Sequence, residues 1–358
     1  MMIINVDVTD RSYDVVVGSL ENSRSRLREL ANSRAVPVVT DEKIWGLHGA
    51  RFQQLLPAEP IFVPEGEAAK SWDELGRLIT RFTHLNLDRR SPVVALGGGS
   101  VGDLTGLAAG LFKRGCPVIH VPTTLLAQAD SAVGGKTAID AEGQKNLVGM
   151  FHQPAIVIAD VAFLDTLDDR QLRAGYAEVV KYALIGHPQL FDWLQDHGRD
   201  VLAGDPGMRA EAVWQSAAAK ARMVEEDPED RIGVRALLNL GHTFAHAIES
   251  VAGLGTVLHG EAVSVGMVLA FRLSDELGLC PPEDAHLVEA HLRDAGLPTT
   301  LADVGLIGCA DALLPLMGAD KKNEGGRLKL ILTRGIGRAF QSDGVEPGTL
   351  ADFLRKAA

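Results

Sequence analysis

Two histidines four residues apart, His242 and His246, are the side chains of this sequence best suited to metal chemistry. They lie in LLNLGHTFAHAIES, whose apolar residues recur at helical spacing, so both imidazoles would project from one helix face. His259 opens another helix-like segment, and Glu178 lies in a third, AGYAEVVKYALI. Two imidazoles and one carboxylate are a ligand set of catalytic zinc sites. We predict a metal site built by three helices, the alternative being two helical histidines and an unrelated loop histidine.

A glycine-rich segment is the second chemical feature. The strand-like VVAL leads into Gly97–Asp103, GGGSVGD, and then into the helix-like LTGLAAGLF. Such glycines let the backbone approach a pyrophosphate, whose charge faces the helix N-terminus. The acidic residue expected about 20 positions on is missing, because the next strand ends in Thr123 and Thr124, so Asp41 is the candidate for the ribose. The pattern predicts a dinucleotide or phosphate site, or else a turn without a ligand.

Polar and charged residues are concentrated in the segment DSAVGGKTAIDAEGQKNLVG, which we expect to form glycine-punctuated loops. Its notable members are Asp130, Lys136, Lys145 and Asn146. Lysine is a compact charge suited to phosphate, so these lysines either capture an anion or are solvated surface charges. Lys181 follows Glu178 by three residues and would face the same site on a helix.

Composition restricts the class of protein. The chain has 358 residues, of which 46% are hydrophobic, which suits two globular domains. Its net charge of -12 argues against nucleic acid or an anionic membrane as the partner and favours a small ligand. Three widely spaced cysteines suggest neither disulfides nor a thiolate zinc site and fit a reducing cytosol. We expect neither export nor a membrane span, because long apolar runs are missing.

The order of apolar segments predicts the fold. Strand candidates lie near the start and at 13–18, 35–41, 60–64, 92–99, 117–124 and 155–160, with helix-like stretches between several of them. From about residue 170 the spacing becomes helical, interrupted only by LKLILT at 328–333. We predict an α/β Rossmann-like nucleotide-binding domain over residues 1–169, with a mostly parallel sheet. An all-α domain over residues 170–358 would bind metal and substrate.

Seven segments, in order, closely resemble the 3-dehydroquinate synthase family of the sugar phosphate cyclases. They are GGGSVGDLTGLAAGLFKRG, VPTTLLAQADSAVGGKTAID, QKNLVGMFHQP, AGYAEVVKYALI, RALLNLGHTFAHAIE, LHGEAVSVGM and DKKN. The resemblance implies the dehydroquinate synthase-like fold, NAD+, one divalent metal (zinc, with cobalt as the alternative) and a cytoplasmic homodimer. It also implies conversion of 3-deoxy-D-arabino-heptulosonate 7-phosphate into 3-dehydroquinate and phosphate, the second step of the shikimate pathway.

The implied chemistry gives the residue types their roles. The substrate's C5 hydroxyl is oxidised by NAD+, phosphate leaves by β-elimination, the ketone is reduced again, and the opened ring closes by an aldol step. The implied metal ligands are Glu178, His242 and His259. The residues implied for catalysis are His246, as a base or proton relay, with Lys136, Lys181, Lys220 and Asp230.

The resemblance also assigns binding residues. Those implied for the phosphate end are Arg114, Lys136 and Asn146. Those implied for the carboxylate and hydroxyls are Asp130, Lys181, Lys220, Arg235, Asn239, Lys321 and Lys322. Those implied for NAD are Asp41, Glu67, Lys70, Gly99, Ser100, Val101, Gly102, Asp103, Thr123, Thr124, Lys136, Lys145, Phe163, Leu164, Asp165 and Thr166.

Two positions depart from the family pattern. The family places a glutamate, a proposed proton acceptor, between Lys220 and Arg235, but here that segment is slightly longer. The acid would then be Asp230, or Glu229 after a local shift. Ala174 stands where the family usually has an asparagine, so one NAD contact would be missing.

Other functions stay open beside this one. Glycerol dehydrogenases and iron-type alcohol dehydrogenases share GGGSxxD and PTT, but bind metal through an aspartate and histidines and lack the lysine cluster. Other sugar phosphate cyclases change the carboxylate end, where Arg235, Asn239 and His246 match the synthase. An amino-substituted substrate would leave these residues unchanged. A binding protein without activity would be expected to lose metal ligands, and none is lost.

Overall fold

The structure is a computed structural model that describes residues 1–8, 11–32, 35–253, 255–318 and 328–357. Its strands are β1 (Met2–Val6), β2 (Tyr13–Val17), β3 (Val36–Thr40), β4 (Ala58–Phe62), β5 (Val93–Gly97), β6 (Val118–Pro122), β7 (Lys136–Ala141), β8 (Gln144–Phe151), β9 (Ile156–Ala159), β10 (Leu330–Thr333) and β11 (Ala339–Ser342). Its α-helices are α1 (Arg24–Leu30), α2 (Glu42–Gln53), α3 (Trp72–His84), α4 (Gly99–Leu111), α5 (Asp169–Gly186), α6 (Pro188–Ala203), α7 (Pro206–Glu226), α8 (His242–Ala252), α9 (His259–Glu276), α10 (Pro282–Asp294), α11 (Ala310–Gly318) and α12 (Pro347–Ala357).

Contacts within the chain divide it into two compact units. The first comprises Met1–Asp168 and Gly204–Glu229, and the second comprises Asp169–Ala203 and Asp230–Ala358. The chain therefore leaves the first unit after residue 168, returns for α7 and leaves again after residue 229. The division into domains 1–169 and 170–358 stays a prediction. The helix α7, which that division assigns to the helical domain, lies with the first unit.

The first unit is built on a seven-stranded sheet with the order β1-β2-β9-β6-β5-β3-β4. Only β1 runs antiparallel to its neighbour, which confirms the prediction of a mostly parallel sheet. The strands β3, β5, β6 and β9 are buried along their whole length, as expected where helices cover both faces. The strand-like segment predicted near the start is VDVTD at residues 6–10, whose last two residues lie outside the described residues. It overlaps β1 only at Val6, which pairs with Tyr13.

Helix α7 covers the end of the sheet formed by β1 and β2. Its apolar residues Ala217, Ala221 and Val224 pack in one buried cluster with residues of β1, β2 and β9. The Glu225 carboxylate also accepts a hydrogen bond of 2.9 Å from the backbone N–H of Asp7. Packing against a distant part of the chain is not visible in sequence spacing, which shows only that α7 is amphipathic.

The prediction of loops around Lys136 and Lys145 is wrong. These lysines lie in the hairpin of β7 and β8, which pair antiparallel with an irregularity between Ile139 and Ala141. Ile139 is fully buried in the core beside α4 and anchors the hairpin to it. A Cβ atom at Gly149 would lie 2.3 Å from the carbonyl oxygen of Thr137, so the two strands require glycine there. The glycines and charges interrupt the alternation that marks a strand, which is why the hairpin was missed.

The second unit is mainly helical, with the small antiparallel pair β10 and β11. The apolar spacing predicts helices over 170–197, 208–226, 237–252, 260–278 and 283–295. The first of these stretches is divided into α5 and α6, and α11, α12 and β11 lie outside all five. Among the described residues, no helix combines the length and apolar character needed to cross a membrane.

Two glycines of α9 allow helices to approach closely in the second unit. A Cβ atom at Gly266 would lie 2.1 Å from the carbonyl oxygen of Gly241, the residue that precedes α8. A Cβ atom at Gly260 would lie 1.9 Å from the carbonyl oxygen of Ala174 in α5. The absence of side chains at these two points therefore brings α9 against both α5 and the start of α8.

We predict that Gly266→Ala destabilises the protein, because the added methyl group overlaps the backbone of Gly241. Overpacking of this kind costs about 1–3 kcal/mol, and rigid backbone on the far side favours the upper end. Urea unfolding of the purified variant would measure the loss. Gly186→Ala is the matched control, since nothing lies within 4 Å of its added Cβ atom. Equal free energies of unfolding for the two variants would contradict the prediction.

Candidate active site

Three side chains of the second unit converge at the starts of α8 and α9 and the middle of α5. One ligand atom from each of Glu178, His242 and His259 lies within 4.8 Å of the others. The Oε1 atom of Glu178 lies 3.3 Å from Nε2 of His259 and 3.6 Å from Nε2 of His242. The donor set of one carboxylate oxygen and two imidazole nitrogens fits a divalent transition metal.

Glu178 is only 1% exposed, and its carboxylate lies close to groups that can compensate its charge. Nζ of Lys181 lies 2.6 Å from its second oxygen, Oε2, so the lysine faces the site as the spacing predicts. Burial lowers the pKa of His242 to about 3, although Glu178 opposes the shift. Burial also acts to lower the pKa of His259, but hydrogen bonds to Glu178 and Glu249 outweigh it and raise that pKa to about 9. One imidazole is therefore neutral and the other is held between two carboxylates.

His246 lies beside the two histidines of this centre. Its ring centroid is 5.7 Å from that of His242 and 6.3 Å from that of His259. Its role as a base or relay stays a prediction. Arg235 is 1% exposed, and the Asn239 side chain donates a hydrogen bond of 2.9 Å to the Ala236 carbonyl.

Four other residues predicted to act on the substrate are Asp230 or Glu229, for proton transfer, and Lys321 and Lys322, for the carboxylate and hydroxyl groups. Asp230 has a left-handed backbone with φ of 54°, and its role as the proton acceptor, like that of Glu229, stays a prediction. Lys321 and Lys322 lie outside the described residues.

The glycine segment lies where the sequence predicts, between a strand and a helix. Gly97 ends β5, and α4 starts at Gly99. A Cβ atom at Gly98 would lie 3.2 Å from the Thr124 methyl, and one at Gly99 would lie 3.0 Å from Oγ of Ser131. A small hollow beside the loop is lined by residues that include Gly97, Gly98, Gly99, Gly102, Asp103, His120, Ser131 and Lys136. The open backbone at a helix N-terminus fits a pyrophosphate group.

Lys70 organises the polar residues beside this loop. It is 4% exposed, its Nζ lies 2.9 Å from Asp103, and it donates a hydrogen bond to the Asn146 side chain. Glu67 and Asp140 lie within 4 Å of the same ammonium group. Burial acts to lower the pKa of Lys70, but Asp103 and Glu67 outweigh it and raise that pKa. The structure thus joins residues that are far apart in sequence.

Three further residues predicted to bind substrate lie in the first unit, and two of them, Lys220 and Asp130, contact each other. Lys220 donates a hydrogen bond of 2.9 Å to the backbone carbonyl of Asp130 and a second one to its carboxylate. Arg114 follows α4 with a left-handed φ of 66°.

The other predicted cofactor residues lie along the carboxyl ends of the strands and in the turn after β9. Asp41 caps α2, accepting a hydrogen bond of 2.8 Å from the Ile44 N–H. The Thr123 N–H donates to the Gly97 carbonyl at 2.9 Å. Phe163 and Leu164 are buried, and Asp165 pairs with Arg209 at 2.7 Å. Thr166 lies 2.9 Å from Nε2 of His48.

Three polar residues of these sites were missed from the sequence. His120 on β6 and Ser131 line the hollow at the glycine loop, and Glu249 contacts His259. His120 and Ser131 lie within segments already singled out, at 117–124 and in DSAVGGKTAIDAEGQKNLVG, but carry no spacing of their own. Glu249 follows His242 by seven residues, which is two helical turns, and that spacing could have indicated it.

We predict that His120 makes the protein less stable in mild acid. Burial, aided by His152, lowers the pKa of His120 to about 4 from an ordinary value near 6.5. Below pH 6.5 the unfolded chain therefore binds a proton that the folded chain does not, and stability falls until about pH 4. The loss is about 2 kcal/mol at pH 5.

Urea unfolding of the wild type and His120→Asn at pH 7.5 and pH 5 would test this, because the substitution should remove about that much of the difference. The exposed His84→Asn serves as the control and should change nothing. An unaltered pH dependence in His120→Asn would contradict the prediction.

Known proteins resemble this chain over nearly its whole length. Family models described as 3-dehydroquinate synthase N-terminal and C-terminal match residues 60–174 and 175–323. The 3-dehydroquinate synthase of Caulobacter vibrioides (strain NA1000 / CB15N) is 48% identical, covering 98% of this chain and 97% of its own. That of Paracoccus denitrificans (strain Pd 1222) is 45% identical, covering 99% and 98%.

A solved structure has a similar fold. The 2-epi-5-epi-valiolone synthase from Streptomyces hygroscopicus subsp. jinggangensis 5008, with NAD+ and Zn2+ bound, superposes with a TM-score of 0.89. It is 28% identical and covers 98% of each chain. From the family models and the near full-length relatives together, the chain belongs to the 3-dehydroquinate synthase family.

Proposed function

We propose that this protein converts 3-deoxy-D-arabino-heptulosonate 7-phosphate into 3-dehydroquinate and phosphate, the second step of the shikimate pathway. The reaction is that of a carbon–oxygen lyase and combines a transient oxidation at C5, β-elimination of phosphate, re-reduction and an aldol closure. The observation that carries the proposal is the convergence of Glu178, His242 and His259 in a chain 48% identical to a 3-dehydroquinate synthase.

Glu178, His242 and His259 would hold one divalent metal, Zn2+ or else Co2+. Such an ion supplies Lewis acidity toward substrate hydroxyl groups. Both imidazoles must be neutral to bind it, and burial, which lowers the pKa of His242 to about 3, favours that form there. Lys181 engages the Oε2 atom of Glu178 and leaves Oε1 directed at the two imidazoles.

The residues at the glycine loop would hold NAD+, which accepts and returns a hydride when bound. The N–H groups at the start of α4 would face the pyrophosphate, and Asp41 would bind the ribose. Lys145, on β8, is a further proposed contact. Lys70 holds Asp103 and Asn146 in one arrangement, so that polar groups beside the loop are ordered in advance. The other proposed contacts are Glu67, Thr123, Thr124 and Phe163 to Thr166.

Basic side chains would hold the two charged ends of the substrate. We assign the phosphate end to Arg114, Lys136 and Asn146, since ammonium and guanidinium groups form strong hydrogen bonds with phosphate oxygens. We assign the carboxylate and hydroxyl groups to Asp130, Lys181, Lys220, Arg235, Asn239 and the pair Lys321 and Lys322. Asp230, or Glu229, would accept a proton, and His246 would relay one beside the metal ligands.

The expected setting follows the family resemblance. We propose that the protein is a cytoplasmic homodimer that binds its sugar phosphate substrate without a nucleic-acid or membrane partner. The acidic net charge of -12 supports the exclusion of polyanions.

Phosphate release from 3-deoxy-D-arabino-heptulosonate 7-phosphate, with catalytic NAD+ and Zn2+, is the direct test. We expect phosphate and dehydroquinate to form without a net rise in absorbance at 340 nm. Stoichiometric NADH without phosphate would indicate a dehydrogenase. Turnover only with sedoheptulose 7-phosphate or an amino-sugar phosphate would indicate a different cyclase, and either result would overturn the proposal.

We predict that His259→Ala loses both metal and turnover, because one of three ligands is removed. Metal analysis after gel filtration should show at least a tenfold lower zinc content than the wild type. The exposed His286→Ala is the control and should keep its zinc. An unchanged zinc content in His259→Ala would exclude this histidine as a ligand.

We predict that Lys136→Ala mainly weakens interactions at the phosphate end. Loss of a charge-assisted hydrogen bond costs about 1.5–3 kcal/mol, so kcat/KM should fall about 10- to 100-fold while zinc content is unchanged. The exposed Lys356→Ala should behave as the wild type. Wild-type kinetics for Lys136→Ala would contradict the assignment.

A further inference from the structure

We propose that Glu249 is a positioning residue, which fixes the tautomer and orientation of the His259 imidazole and thereby strengthens metal binding. The inference rests on the proposed metal at Glu178, His242 and His259, and deepens it. Glu249 would touch neither the metal nor the substrate.

The two ring nitrogens of His259 face different carboxylates. Nδ1 lies 3.4 Å from Oε2 of Glu249, and Nε2 lies 3.3 Å from Oε1 of Glu178. If Nδ1 carries the proton and donates it to Glu249, Nε2 presents its lone pair toward the centre where the ligand atoms converge. With the opposite tautomer, Nδ1 and the Glu249 carboxylate would face each other as two acceptors.

His242 shows the same arrangement with a different partner. Its Nδ1 lies 3.2 Å from the backbone carbonyl oxygen of Leu240, and its Nε2 lies 3.6 Å from Oε1 of Glu178. Both histidines thus present Nε2 to the centre and direct Nδ1 at an oxygen acceptor. Histidine ligands of metals commonly donate the second ring N–H to a carbonyl or carboxylate, which orients the ring and raises its basicity. A carboxylate does so more strongly than a carbonyl because it is charged.

The placement of Glu249 indicates a specific function for its charge. Its side chain is buried, with 4% of the residue exposed, on the same helix as His242 and seven residues later. A buried carboxylate costs stability unless charged or hydrogen-bonding groups compensate it. His259 is one such group and belongs to the neighbouring helix α9. The glutamate therefore joins α8 and α9 at the ring that must be oriented.

Zinc affinity separates positioning from a merely structural role. We would measure it by competition with a chromogenic chelator for the wild type, Glu249→Gln and Glu249→Ala. The alanine variant should bind zinc about 10- to 100-fold more weakly. The glutamine variant should fall between it and the wild type, because its amide oxygen still accepts the Nδ1 proton but lacks the charge.

Glu289→Gln is the matched control, because Glu289 is also a buried glutamate of the second unit and pairs with Arg272 and Arg293. It should lose stability but keep its zinc affinity. Folded Glu249 variants with zinc affinities within about twofold of the wild type, set against the expected 10- to 100-fold loss, would overturn the inference.

A measurement on the zinc-loaded wild type needs no substitution and holds even if the variants do not fold. Long-range ¹H–¹⁵N spectra of histidine-labelled protein should show His259 protonated at Nδ1 and bound through Nε2. Binding through Nδ1 would overturn the inference while leaving the proposed metal in place. A wild type that binds no stoichiometric zinc would instead overturn the metal site itself.

Discussion

The candidate site of the second unit depends on one carboxylate that is held away from water. Glu178 is almost fully buried, and an isolated charge in such a place would be strongly unfavourable. Lys181 and two imidazoles surround it, each from a defined position on α5, α8 or α9. Their separation is small only because glycines let α9 approach the neighbouring backbone. The close packing of α9 therefore also brings together the groups that compensate the Glu178 charge, and these groups include the proposed metal ligands.

The sequence was most informative where a function requires regular spacing. Helical periodicity placed His242 and Glu178 on helices that converge, and the glycines between β5 and α4 lie as predicted. It was least informative where contacts join distant segments. The hairpin of β7 and β8 has a weak alternation, and its Ile139 is buried in the core beside α4. Lys70 forms hydrogen bonds with Asp103 and Asn146, neither of which is near it in sequence.

Residues that support the candidate site escaped prediction for the same reason. Glu249 acts through His259 on another helix, and His120 lies below the glycine loop on the next strand of the sheet. A motif shows the groups that meet a ligand, whereas the groups that orient them depend on tertiary packing.

The return of the chain to the first unit has a consequence for synthesis. The apolar face formed by Ala217, Ala221 and Val224 completes the packing of β1 and β2, which precede it in the chain. A ribosome must therefore translate everything between β2 and α7, including α5 and α6, before this end of the sheet is covered. Until then the strands expose an apolar surface in the nascent chain, and exposed apolar surface favours aggregation and chaperone binding.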